Sequence, residues 1–186
     1  MSCSCIELET KYGQGDCKCS RYREEFPDCA CEHESVSEHS TGPVADSEVL
    51  VRTVFREQQI DQDGRLKPVY FRREPTTRGF SVDRVSLMGS KPLKSSKRAD
   101  ARYTGYLKFI ATYSRDVRDL LEDGKRLFCV YDSATAENNA HADICQNLHV
   151  ETGAQDRKRR MMEIAWQLRS AFRPAQPVPP TSLTGG

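Results

Sequence analysis

Six of the eight cysteines of this chain lie within its first 31 residues. They form three Cys-x-Cys pairs, Cys3/Cys5, Cys17/Cys19 and Cys29/Cys31, and His33 follows closely. Thiolate and imidazole are the ligands that zinc prefers, and four of them complete a tetrahedral site. We therefore expect one or two zinc ions here, with an iron–sulfur or redox role, or chance clustering, as the alternatives. A structural zinc ion would stabilise so polar a segment by roughly 10 kcal/mol.

A second group of residues that could perform acid–base or nucleophilic chemistry lies late in the chain, at His141, Asp143 and Cys145. On a strand, all three side chains point to the same face, with Ala142 and Ile144 opposite. On a helix, Cys145 instead has His141 and His149 as neighbours four residues away. Either geometry places a thiol near an imidazole, which is the minimum for an activated nucleophile or for acid–base work. The plainer interpretation is a buried free cysteine beside a surface histidine, and Cys129 reads as core packing.

Arginines are concentrated near the first three predicted strands. They are Arg52, Arg56, Arg72, Arg73, Arg78 and Arg84. Forked hydrogen bonds from arginine, together with Ser81 and His141, would suit a phosphate-bearing ligand. The candidate catalytic set is therefore His141, Asp143, Arg52 and Ser81, and a solvated sheet face is the alternative.

The charge of the chain is divided unevenly. Residues 1–47 carry ten acidic and four basic side chains, whereas residues 48–186 carry seventeen acidic and twenty-four basic ones. Basic side chains gather at two places that would suit a nucleic-acid backbone, namely Lys94, Lys97, Arg98 and Arg102 in a loop and Arg157, Lys158, Arg159 and Arg160 at a helix start. The second group opposes the helix dipole, so we expect a negative group nearby, for which the acidic head is a candidate. Solvated basic surfaces are the alternative.

The composition predicts four segments. These are a Cys-rich head at 1–34, a linker at 35–47, an α+β domain at 48–172 and a Pro-rich flexible tail at 173–186. The expected fold is one small mixed or antiparallel sheet with two helices, preceded by a metal-stabilised head. Apolar patterning predicts strands at 48–55, 68–73, 79–85, 103–113 and, in a central position, 127–131, and helices at 114–124 and 156–172, with 140–150 ambiguous.

The body resembles a group of small uncharacterised bacterial proteins across about residues 48–150. The shared pattern is Arg52, then Asp63-Gly64-Arg65, Phe71, Gly79-Phe80-Ser81-Val82-Asp83 and finally Asn139-Ala140-His141-Ala142. The resemblance implies a bacterial or phage setting and draws attention to Arg52, Ser81, Asp83 and His141. It implies no particular activity.

These features lead to three hypotheses. The first is a zinc-binding adaptor that docks a protein partner or a nucleic acid, without chemistry. The second is a small enzyme acting on a nucleotide or nucleic acid, with arginine holding phosphate and His141 and Asp143 exchanging protons. The third is a structural component of a larger assembly. No apolar run is long enough to cross a membrane, and the N-terminus lacks the features of a signal peptide, so we expect a cytoplasmic protein.

Overall fold

The fold is described from a computed structural model, which covers residues 4–54, 59–63, 65–89, 105–120, 124–148 and 154–172. Five strands form one antiparallel sheet in the order β3-β1-β2-β5-β4. They are β1 (Val49–Val54), β2 (Phe80–Arg84), β3 (Gly105–Ile110), β4 (Phe128–Tyr131) and β5 (His141–Gln146). Six α-helices accompany them in the described part: α1 (Leu8–Tyr12), α2 (Lys18–Glu25), α3 (Pro68–Arg73), α4 (Val85–Met88), α5 (Ala111–Arg115) and α6 (Ala154–Ala171). None of these helices is long and apolar enough to cross a membrane.

The sheet buries side chains on both faces, and the two largest clusters among the described residues lie on opposite faces. On one face, Leu50, Phe80 and Ile144 pack with Leu168 and Phe172 at the end of α6. On the other face, the head covers β4 and β5 through a cluster of nine buried side chains: Leu8, Cys19, Tyr22, Cys29, Cys31, Val36, Cys129, Tyr131 and Cys145. Alternation along β5 sends Ala142 and Ile144 to the first cluster and His141, Asp143 and Cys145 to the second face.

The expectation of a metal-stabilised head is wrong. Three disulfides take up six cysteines, as Cys5–Cys31, Cys19–Cys145 and Cys29–Cys129. A sulfur in a disulfide has no thiolate charge to offer, so these cysteines are not zinc ligands. Of the remaining predicted ligands, Cys17 is a free, exposed thiol, His33 is exposed, and Cys3 lies outside the described residues. The described parts of the chain contain no group of three or more His, Cys, Asp or Glu side chains suited to a metal ion.

The disulfides also correct the predictions for the two later cysteines. Cys129 is not simply core packing, because it is bonded to Cys29. Cys145 is neither a free buried thiol nor a nucleophile, because it is bonded to Cys19. These two bonds join the head to neighbouring strands across sequence separations of 100 and 126 residues.

Strand β4 lies at the edge of the sheet and not in the predicted central position. All four of its residues are nevertheless buried, because Phe128 and Val130 pack in the main core while the head covers Cys129 and Tyr131. Glu32 in the 3₁₀ segment Pro27–His33 accepts a hydrogen bond from the N–H of Val130 at 2.6 Å, on the strand edge that no other strand pairs. The continuous apolar run of β4 therefore reflects burial on both faces, one against the main core and one against the head.

The stretch 68–73 forms helix α3, although its β-prone residues predicted a strand. Pro68 occupies the first helical turn, where its fixed φ and missing N–H suit a helix start. Phe71 packs on the rings of Phe80 and Phe172, with centroids 5.1 Å away in each case. Arg72 and Arg73 fall in the last turn, where positive charge favours the helix dipole.

The predicted helix 114–124 is replaced by α5, which begins directly after β3. Ser114 lies inside α5 and is buried, so it is not an N-cap. Leu120, predicted to belong to the apolar stripe, is 82% exposed. The predicted helix 156–172 is confirmed as α6, with Ile164, Ala165 and Leu168 buried on one face.

Candidate functional site: a buried carboxylate and a basic pocket

A buried carboxylate lies where the head meets the sheet. Asp143 on β5 is fully buried, and its Oδ2 accepts hydrogen bonds from Lys18 Nζ at 2.6 Å and from Ser133 Oγ at 2.6 Å. His141 Nε2 lies 3.2 Å from the same oxygen, and Ser81 Oγ donates to Oδ1 at 3.2 Å. Lys18 directly precedes Cys19, whose disulfide to Cys145 also joins the head to β5. Four donors thus converge on a single carboxylate that solvent does not reach.

Gly79 makes room for this carboxylate. A Cβ at that position would lie 2.5 Å from Asp143 Oδ1, and the φ of Gly79 is +94°. A side chain there would collide with the carboxylate and adopt a backbone conformation that L residues rarely occupy. The sequence Gly79-Phe80-Ser81 therefore provides both the space and one of the donors.

The charges around Asp143 shift each other's protonation. Burial alone raises the pKa of Asp143, but Lys18 and His141 outweigh it and hold that pKa far below its usual range. Burial lowers the pKa of His141, and the Asp143 carboxylate more than reverses this, so the pKa of His141 is raised. The pair is therefore held in its charged form.

Three of the four predicted catalytic residues meet here: Ser81, His141 and Asp143. Arg52 does not, because alternation along β1 places it on the other face, where its guanidinium lies 4.7 Å from the Phe80 ring centroid. It reaches Ser81 only at the backbone carbonyl, at 2.6 Å, and it pairs with Glu74 at 2.7 Å. Arg52 is thus engaged with the protein's own groups and does not face the carboxylate site.

The geometry of the cluster limits what it can do chemically. Ser81 donates to Asp143 and not to His141, so the serine is not activated by the imidazole as a nucleophile would be. The Asp143 side chain is closed off from solvent. The His141 side chain, which could also exchange protons, is 21% exposed. The arrangement suits a buried ion-pair cluster that holds the head against the sheet.

A second feature is a pocket of about 580 Å³ next to this ion-pair cluster. Four parts of the fold form its walls: α2, the α3 end with the following 3₁₀ turn, the end of β5 and the first turns of α6. The lining residues are Cys17, Ser20, Arg23, Glu24, Arg72, Arg73, Thr76, Thr77, Gln146, Leu148, Arg157, Lys158 and Met161. Five are basic and one is acidic, and the volume is in the range of pockets that hold small ligands.

Most of the positive charge in the pocket is not neutralised by the protein. Arg23 donates to the carbonyls of Gln146 and Leu148, at 3.1 and 3.2 Å. The acidic Glu24 is paired with Arg21 outside the pocket, at 2.8 Å. Within the described ranges, no salt bridge to a carboxylate is formed by Arg72, Arg73, Arg157 or Lys158.

The first turns of α6 concentrate this charge. Arg159 lies near Asp156 and Glu163, and Arg160 pairs with the buried Asp119. Arg157 and Lys158 have no such partner among the residues described, although the N-terminal end of a helix already carries partial positive charge. The compensating negative group expected from the sequence is therefore supplied for Arg160 by Asp119 and not by the acidic head.

The predicted nucleic-acid residues are thus divided. Arg157 and Lys158 line the pocket, whereas Arg159 and Arg160 are engaged in ion pairs outside it. The loop residues Lys94, Lys97, Arg98 and Arg102 lie outside the described residues. Arg72 and Arg73 were among the arginines that the sequence suggested for a phosphate-bearing ligand, and both line the pocket. No sequence pattern indicated that Arg23 of the head joins them there.

The chain matches no protein-family model, no curated protein and no solved structure. The geometry of the two features above is therefore what supports a function.

Proposed function

We propose that this protein binds a phosphate-bearing ligand in the basic pocket. The observation that carries the proposal is the set of four basic side chains, Arg72, Arg73, Arg157 and Lys158, that line one pocket without carboxylate partners in the described structure. Arginine forks and lysine ammonium groups are the side chains that bind phosphate oxygens most strongly. Binding of such a ligand without catalysis corresponds to the adaptor hypothesis of the sequence analysis, without the zinc that this hypothesis included.

The pocket is suited to an anion for a second reason. Four like charges held close together repel each other, and the N-terminal end of α6 adds to their field. A bound phosphate group removes this repulsion. The ligand therefore gains affinity from charges that cost the free protein stability.

The proposal predicts saturable binding of inorganic tripolyphosphate, measured by isothermal titration calorimetry at low salt. Replacing both Arg157→Ala and Lys158→Ala should weaken binding about tenfold or more, because two charge-assisted contacts are lost. Affinity should also fall steeply as salt is raised to about 200 mM.

Arg159→Ala is the matched control, since it removes the neighbouring charge, which lies outside the pocket. It should change the affinity much less than the double variant. Equal effects of the two variants, or binding that ignores all three residues, would remove the pocket as the binding site.

We also propose that the chain folds in an oxidising compartment and not in the cytoplasm expected from the sequence. The support is the set of three disulfides, two of which join the head to the sheet. Disulfides persist in secreted, periplasmic and similar settings and are rare where glutathione and thioredoxin keep thiols reduced.

A further inference from the structure

Trp166 on α6 is a large aromatic side chain at the protein surface. It is the chain's single tryptophan and is 50% exposed. The guanidinium of Arg169 lies over the ring, 4.7 Å from its centroid. One side of the indole is thus supported by the protein, and half of the residue faces solvent.

The support under this ring is firmly held. Arg169 Nε donates to the carbonyl of Leu66 at 3.0 Å, and its guanidinium pairs with Asp61. Asp61 in turn accepts the N–H groups of Asp63 and Arg65, each at 3.0 Å. Ordering the indole therefore costs little when something stacks on it, because its supporting partner is already fixed.

The ring lies further along α6 than the residues that line the basic pocket, and it is rotated by roughly 80° around the helix axis from Lys158. Lys158, Met162 and Trp166 follow each other at intervals of four residues and so form one stripe. At 1.5 Å per residue, Trp166 lies about 12 Å along the helix axis from Lys158. Arg72 contacts the middle of this stripe through Met162, with Nη1 and Sδ 3.7 Å apart. Arg72, which lines the pocket, thus contacts the row of side chains that ends at the exposed ring.

Among the described residues, none that lines the pocket is aromatic. It can hold phosphate groups, but it provides no surface on which a base can stack. Trp166 provides that surface, about 12 Å along the helix axis from Lys158. A basic groove combined with an aromatic platform is the combination by which proteins bind single strands without sequence preference.

We propose that the ligand is single-stranded nucleic acid, with its phosphates in the basic pocket and a base stacked on Trp166. This inference rests on the proposed function, since it assigns the ligand of the same pocket. The duplex is disfavoured as the ligand because its bases are already stacked on each other and leave no free face for the ring.

The single tryptophan makes the inference directly measurable. Titration with an octamer of deoxythymidylate at low salt should quench the fluorescence of Trp166, because a stacked base contacts the indole. Tripolyphosphate should bind without comparable quenching and should be displaced by the octamer. A duplex of the same length should bind more weakly and leave the fluorescence nearly unchanged.

Trp166→Ala should weaken binding of the octamer about tenfold or more, as loss of one stacked base does. It should leave the affinity for tripolyphosphate unchanged, whereas Trp166→Phe should retain most of the octamer affinity. Binding of the variants to the octamer is followed by fluorescence anisotropy of a labelled strand, and circular dichroism checks that each variant is folded.

The outcomes separate the two proposals. If tripolyphosphate binds in the pocket but the octamer causes no quenching and binds Trp166→Ala as well as wild type, the stacking inference is overturned and the phosphate site stands. If Trp166→Ala weakens both ligands equally, the ring acts through the fold and the inference is again overturned. If neither ligand binds, both proposals fail.

Discussion

At the residue scale, the central feature is a fully buried carboxylate that is saturated with donors. The Asp143 carboxylate is contacted by the side chains of Lys18, His141, Ser81 and Ser133, which come from the head, two strands and a loop. Lys18 is itself 4% exposed and also pairs with Glu9 at 3.0 Å. Removing one partner of such a pair leaves a buried charge uncompensated, which costs more than the pair contributed.

Asp143→Asn should therefore destabilise the protein by about 3–5 kcal/mol, because the ammonium of Lys18 loses its shortest ion pair. The free energy of unfolding is measured by urea denaturation at several pH values. Since the pKa of Asp143 is depressed in the folded state, its contribution is complete above the pKa of an unfolded aspartate, about 3.9, and is lost at lower pH. The gap between wild type and variant should therefore be wide at neutral pH and narrow in strong acid.

The exposed Asp63→Asn is the matched control and should change stability by less than about 0.5 kcal/mol. The His141 pair adds an opposite trend. Because the pKa of His141 is raised on folding, its contribution is complete below about pH 6.5 and is lost as pH rises through the folded value. A difference between wild type and Asp143→Asn that does not vary with pH would contradict the charged form of this cluster.

At the element scale, the edge strand β4 is completed by the 3₁₀ segment of the head and not by another strand. Glu32 supplies the link, since its Oε1 accepts from Val130 N–H and from Arg115 Nε, at 2.6 and 2.8 Å, and also pairs with Arg126. One fully buried side chain thus joins the head, the strand edge and α5.

Glu32→Gln should destabilise the protein by about 3 kcal/mol or more, because two arginines lose their shared anion in a buried setting. Hydrogen exchange should show faster exchange of the β4 amides. Glu34→Gln, two residues away and exposed, is the control and should leave both measurements nearly unchanged. Equal protection of β4 in wild type and Glu32→Gln would show that the strand edge does not depend on this contact.

At the scale of the whole molecule, disulfides join the head to the sheet. The bonds Cys19–Cys145 and Cys29–Cys129 close loops of more than half the chain, and loops of this length correspond to about 4–5 kcal/mol of loop entropy each. The first residues are thus held to the last strands of the sheet by covalent bonds as well as by the buried cluster around Tyr22.

Reduction should therefore lower the melting temperature by about 10 °C or more, as followed by circular dichroism with and without a phosphine reductant. Alkylation and mass spectrometry should find six more reactive cysteines after reduction than before it, one for each sulfur of the three bonds. Cys17→Ser, which removes an exposed unpaired thiol, should respond to reduction as wild type does. An unchanged melting temperature would contradict the stabilising role of the bonds.

The sequence predicted those parts of the fold whose signal is local. The β-prone residues of β1 and the helical spacing of Ile164, Ala165 and Leu168 were sufficient for those two elements, whereas the stretch 140–150, which contains β5, stayed ambiguous between strand and helix. Helix α3 was missed because six residues carry too little periodicity to outweigh β-prone side chains. Its conformation depends on Phe71 packing against Phe80 and Phe172 from distant parts of the chain.

The candidate sites were predictable only in part, for the same reason. The three side chains Ser81, His141 and Asp143 share a sheet face that strand alternation could indicate. Lys18, which neutralises Asp143, comes from 125 residues away, and no spacing rule connects them. The cysteine pairs misled for a related reason, because local clustering resembles a metal site while the partners of two of them lie in β4 and β5.

The long-range bonds have a consequence for how the protein comes into being. Cys19 and Cys29 are synthesised early, but their covalent partners, Cys145 and Cys129, follow only 126 and 100 residues later. Throughout that interval Cys5 and Cys31 can pair with each other, whereas the native partners of Cys19 and Cys29 have not yet been synthesised. A cell that makes this protein must therefore keep the nascent cysteines from pairing among themselves until the last strands arrive.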